Sequence, residues 1–107
     1  MKVIKFQANF VPLVLSGEKT ITWRLFDDKE LAEGDIVELK QFGEKTAFAT
    51  ARLIKVTEKP FKQLGLEDRN GHEVYESDEE MYRVFSGYYK KPVGPETMLK
   101  IIWFELN

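Results

Sequence analysis

Apolar residues recur along this chain in short runs, each bounded by glycine, proline or a polar cluster, and the spacing within each run separates strands from helices. Val3, Ile4 and Phe6 predict a strand over 3–6. Residues 9–16 read as a short helix, with Asn9 as N-cap, Pro12 in the first turn and Gly17 in the left-handed closing position. Thr20, Thr22 and Arg24 then alternate with Ile21, Trp23 and Leu25, which predicts a strand with one polar and one apolar face. A polar connection covers 27–32, and a turn over 33–35 leads into a strand over 36–40. The turn over 42–45 reverses the chain into a long strand over 46–56. Ala47, Ala49 and Ala51 share one face of it, opposite Phe48, Thr50, Arg52 and Ile54. Three alanines on one face leave room for a helix, the sheet's own interior or a ligand, the first two being the expectation.

Residues 60–65 form a helical turn by composition and 67–75 a polar loop. Ser77 and Glu80 match a capping box, and Met81, Val84, Phe85 and Tyr88 follow at the i, i+3, i+4, i+7 spacing of an amphipathic helix. The segment 89–95, with Pro92, Gly94 and Pro95, ends it. A final strand over 97–106 is apolar on both faces, Met98, Ile102 and Phe104 on one and Leu99, Ile101 and Trp103 on the other, which suits a central strand. Four or five short strands, two or three short helices and an apolar terminal strand returning to close the sheet define an α+β class: a small mixed β-barrel with helices at its rim.

Composition narrows the function classes. At 107 residues the chain is read as one domain, 1–107, and its 43% hydrophobic and 32% charged residues have the balance of a soluble globular protein. No apolar run reaches the length needed to span a bilayer and the first residues lack a signal-peptide core, so the expected location is the cytoplasm. Cysteine is absent, which removes disulfides and thiolate chemistry, and with a single histidine, His72, neither a histidine metal cage nor a Ser-His-Asp triad is expected. No cofactor or metal is implied. The net charge of −2 gives no bulk attraction to nucleic acid, so any polyanion contact requires a local patch.

Chemistry concentrates in 17–24. Thr22 and Arg24 stand two apart on one strand face, about 6 to 7 Å from each other, and Lys19, on the glycine turn before them, has a stem long enough to fold back over Thr22. A hydroxyl flanked by two cations suits an anion, a carbonyl oxygen or a phosphate. The competing reading is an exposed strand face with solvated cations.

The spacing Gly17-x-Lys19-x-x-Thr22-x-Arg24, an apolar helix before it and Gly34-Asp35-x-Val37 after it, resembles the signature of the ASCH domain family, which has a PUA-like β-barrel fold. The likeness extends to Ser77-Asp78-Glu79-Glu80-Met81 and to Ile101-Ile102-Trp103-Phe104, where that family has a helix and a closing strand. The resemblance implies an RNA-related role. Some small bacterial members are amidohydrolases that remove the acetyl group from N4-acetylcytidine with a Lys, a Thr and a later Glu. Carried over by position, these are Lys19, Thr22 and Glu73, with Glu67, Asp68 and Glu76 as neighbouring carboxylates in the same stretch. Arg24, Trp23 and Tyr75 are the expected substrate-binding residues, Trp23 either shaping the pocket or facing the core, and the implied partner is a nucleoside or RNA. Catalysis by Thr22 would need a neutral Lys19, its pKa brought from about 10.4 towards about 7 to 8 by burial and by Arg24.

Two further readings compete. A binding module without catalysis would use Lys19, Arg24, Lys40 and Arg52 for phosphates and Trp23 or Tyr75 for stacking on a base. A protein-interaction surface would use Tyr82, Phe85, Tyr88 and Tyr89, of which Tyr82 and Tyr89 are the expected exposed rings. His72 reads as a solvated loop residue, the Glu79-Glu80 pair as helix capping, and Lys90-Lys91 as a solvated helix end.

Overall fold

In the computed structural model, which describes residues 1–27 and 29–107, the C-terminal strand is the shared wall of two hydrophobic cores. It is β5 (Met98–Leu106), and the other strands are β1 (Lys2–Phe6), β2 (Ile21–Arg24), β3 (Ile36–Gln41) and β4 (Ala49–Pro60). Ile102 and Phe104 project into one core with Ile4, Phe6, Val37, Leu39 and Leu53. Leu99 and Ile101, of the opposite parity, project into the other with Ile21, Trp23, Phe61, Met81 and Phe85. The doubly apolar pattern of the last strand thus has its physical cause in burial on both faces.

The five strands form one sheet in the order β1-β3-β4-β5-β2, with β1 parallel to β3 and all other pairs antiparallel. This is the mixed sheet with short helices expected of the α+β class, but without the expected closure: β1 and β2 are the two edges, and no ladder joins them among the described residues. Side chains bridge the edges instead, the Arg24 guanidinium lying 5.0 Å above the Phe6 ring. A bulge at Ile54, between Leu53 and Lys55, shifts the β4–β5 register. It explains why Ala51 and Leu53 face the first core before the bulge while Val56 packs against that core after it. The alanine face is therefore sheet interior. Phe48, expected on the opposite face, packs against the same core because β4 begins only at Ala49.

Three α-helices among the described residues complete the fold: α1 (Val11–Ser16), α2 (Leu66–Arg69) and α3 (Asp78–Tyr89). The first is preceded by a 3₁₀ turn, Ala8–Phe10, so Asn9 is not its N-cap. Pro12 occupies the first turn and Gly17 closes the helix at φ 85°. The third starts at Ser77, whose Oγ accepts from Glu80 N at 3.1 Å, while the Glu80 carboxylate accepts from Glu76 N at 2.8 Å. Its buried residues are Met81 and Phe85, each contributing about 1.5–3 kcal/mol of hydrophobic stabilisation. Tyr82 and Tyr89 are half-buried against that core and Tyr88 is the exposed ring, the reverse of the sequence expectation. The polar loop expected over 67–75 is partly helical, as α2. Asp28, within the polar connection, lies outside the described residues. No helix among those described is long and apolar enough to cross a membrane.

Candidate functional site

The short helix and its glycine set the first functional side chain. Gly17 N donates to Val14 O, and Lys19 N donates back to Leu13 O at 3.0 Å, so the backbone of Lys19 is tied to α1 before β2 begins. Its side chain is only 4% exposed, with the ammonium 5.2 Å from the Phe10 ring and paired with the Glu73 carboxylate, 54 residues further along. Burial pushes the Lys19 pKa down, Glu73 draws it back up through charge and hydrogen bonding, and Arg24 pushes it down; the net direction is down.

On β2, Thr22 and Arg24 share a face as the alternation requires, and Arg24 Nε donates to Thr22 Oγ1 at 3.1 Å. The competing reading of a solvated polar face fails here, because Thr22 is buried and Arg24 half-buried. They face a cleft of about 540 Å³ that is also lined by Lys19 and Glu73, a size suited to a small molecule. The guanidinium stays charged despite its burial. By donating to Thr22 it leaves the hydroxyl proton free to point elsewhere and favours the alkoxide form.

Glu73 reaches Lys19 because the loop after α2 docks on β2. Thr20 N donates to Gly71 O at 3.2 Å, and the next ring, His72, lies on Trp23 with centroids 3.8 Å apart. His72 is thus a correction: its side chain is 3% exposed, and desolvation, Lys19 and Arg24 lower its pKa to about 4 against the pull of Glu73. The other carboxylates do not face Lys19. Asp68 is buried on Lys59 (2.8 Å) and Gly65 N (2.8 Å), and Glu67 and Glu76 are exposed.

The aromatic residues sort differently from the sequence reading. Trp23 has one face on His72 and the other towards Phe85, whose centroid is 6.0 Å away, and its indole N–H donates to Asp68 O. Neither face is open to a base. Tyr75 does not line the cleft; it packs against Trp23, His72 and Phe85 in the second core. Lys40 and Arg52 also lie outside the cleft, Arg52 being paired with Glu105 at 3.0 Å. The sequence reading missed Lys5, Phe10 and Phe42, which come to the cleft from the β1 end, the 3₁₀ turn and the β3–β4 turn. No local pattern marks them, since each is ordinary for its own element. Among the described residues no group of three or more His, Asp or Glu side chains is arranged to hold a metal ion.

No protein-family model and no curated protein matches the chain. Solved structures do. A DUF984 family protein of Enterococcus faecalis V583 superimposes with a TM-score of 0.78 at 22% identity, over 98% of this chain and 78% of that one. An ASCH domain of Lactobacillus crispatus JV V101 gives 0.72 at 14% identity, with the same coverage of 98% and 78%. The ASCH protein of Zymomonas mobilis gives 0.67 at 16% identity, over 96% of this chain and 65% of that one. Over nearly its whole length the chain therefore has the fold of these ASCH domain proteins.

Proposed function

We propose that the chain is a cytoplasmic, metal-free amidohydrolase acting on an acylated pyrimidine nucleoside such as N4-acetylcytidine. The observation that carries this reading is the pairing of a buried Lys19 with Glu73 in the same cleft as the Thr22 hydroxyl. Thr22 Oγ attacks the acyl carbon as its proton passes to the neutral Lys19 amine. The carbonyl becomes an oxyanion, which Arg24 is placed to stabilise through its remaining N–H groups. The bond from carbon to N4 then breaks as N4 takes a proton from the Lys19/Glu73 pair. Water, deprotonated by the same pair, releases acetate and regenerates the Thr22 hydroxyl. The pair supplies a proton that can reside on either partner, which general acid and base steps both need.

Acetate release from N4-acetylcytidine tests this. Lys19→Met, Thr22→Val and Glu73→Gln are each expected to lower turnover by about 10²–10⁴-fold; undiminished turnover in Lys19→Met overturns the assignment. Binding of RNA with a steep salt dependence and no acetate release favours the non-catalytic module instead.

A further inference from the structure

The cleft contains six aromatic side chains besides Trp23, and most have their faces committed. Phe6 lies under the Arg24 guanidinium and tilts against Phe48 and Phe104. Phe10 carries the Lys19 ammonium. Phe85 is the hub of the second core, and Tyr89 stacks on it while its hydroxyl accepts from Leu25 N. Two rings remain. Phe42 is 55% exposed and makes no ring or cation–π contact among the described residues; Tyr88 is 46% exposed and forms a T-shaped pair with Phe85, at 86°, with no parallel ring stacked on it among the described residues.

Single exposed aromatics are ordinary on a protein surface. These two differ in converging on one cleft from elements far apart in sequence, and in being held there. Phe42 sits in a tight turn whose backbone is pinned to β1, Phe42 N donating to Phe6 O at 2.9 Å and Glu44 N to Gln41 O at 3.0 Å. Tyr88 projects from the last turn of α3, whose Phe85, one turn earlier, is anchored in the second core. Exposed rings without a stacked partner, preset at a cleft that also carries charged and polar groups, recognise a flat ligand at little entropic cost.

We infer that Phe42 and Tyr88 are the specificity-determining residues of this cleft, holding the planar heteroaromatic ring of the ligand by stacking while Lys19, Thr22 and Glu73 meet its acyl group. The inference rests on the amidohydrolase reading for the acyl half alone. It selects acylated amines carried on an aromatic base over acylated amines on a saturated ring.

The test measures binding of cytidine by titration calorimetry, together with kcat and KM for N4-acetylcytidine and for N-acetylglucosamine, in wild type, Phe42→Ala, Tyr88→Ala and Tyr88→Phe. Each alanine variant is expected to weaken cytidine binding and raise KM about 5- to 150-fold, the range for loss of one aromatic–base stack, with kcat little changed. Tyr88→Phe is expected to retain binding, since a ring remains. Wild-type affinity and KM in both folded alanine variants, or equal turnover of the amino sugar by wild type, overturns the inference while leaving hydrolysis at Lys19 standing. Cytidine binding that depends on both rings in a protein that releases no acetate upholds the inference and removes the amidohydrolase reading. Failure of wild type to bind cytidine at all overturns it.

Discussion

The imidazole of His72 lies on the indole of Trp23, 3.8 Å between centroids and 13° from parallel, and through this stack the loop that carries Glu73 is fastened to β2. Its nearest charged neighbours are Lys19, Glu73 and Arg24, and the buried environment holds the ring neutral.

Acid should therefore loosen the site before it unfolds carboxylate pairs. Unfolded His72 takes up a proton near 6.5, whereas the folded ring does so only near 4, so the unfolded state binds more protons between these values and stability falls as pH drops through them. The effect amounts to at most roughly 3 kcal/mol. His72→Phe keeps a ring on Trp23 and removes the titration. Thermal melts of the variant should be flatter than wild type between pH 6.5 and 4; parallel curves would remove His72 as the cause.

Gly71 has a demanding position. Its φ is 91°, and a Cβ there would fall 2.3 Å from Thr20 Oγ1, closer than real side chains approach. Gly71→Ala is expected to cost about 1–3 kcal/mol in stability and to displace Glu73 from Lys19. Gly94→Ala, with no atom within 4 Å of the new Cβ and no left-handed φ, is the control and should stay within about 0.5 kcal/mol. Denaturant melts of the two variants decide it.

Within the ion pair, Lys19 is the more deeply buried partner. Glu73→Gln strands a buried cation and is expected to cost about 3–5 kcal/mol. Lys19→Met replaces it with an apolar chain of similar length and leaves Glu73 at the cleft surface, so it should cost less. Because Glu73 raises the Lys19 pKa, its removal should lower that pKa further, readable by ¹⁵N NMR titration of the amine. A less stable Lys19→Met than Glu73→Gln would contradict this ordering.

Asp68, 1% exposed, holds together Lys59, Gly65 N at the start of α2 and, through its carbonyl, the Trp23 indole. Asp68→Ala is expected to destabilise by about 2–4 kcal/mol by uncapping α2 and leaving Lys59 without its partner. Because α2 leads into the docked loop, weaker protection of the loop amides in hydrogen exchange should accompany the loss. An unchanged exchange pattern would separate Asp68 from the site.

Much of this fold follows from features visible in short stretches of sequence. Gly17 predicts its own left-handed helix end, Ser77 its cap on Glu80 N, and β5 its burial on both faces, because each depends on neighbours within a few residues or on a simple period. Asn9 and the alternation along β4 went differently because a 3₁₀ turn and a bulge at Ile54, features that tertiary packing stabilises, displaced the simple pattern. The glycine-led motif marked Lys19, Thr22 and Arg24, and the family resemblance marked Glu73 among four carboxylates. Local chemistry distinguished none of those four.

By itself, then, the sequence determined most of the secondary elements, α2 excepted, together with the cluster of one amine, one hydroxyl and one guanidinium and the exclusion of thiolate chemistry. Tertiary structure alone decided that Thr22 is buried, that His72 is a packed ring, that Trp23 is buried and that Phe42 and Tyr88 are exposed at the cleft. The physical reason is that burial and ring stacking depend on segments brought together from across the chain. Gly71 meets Thr20 and Glu73 meets Lys19 only after β2, α1 and the loop following α2 have docked.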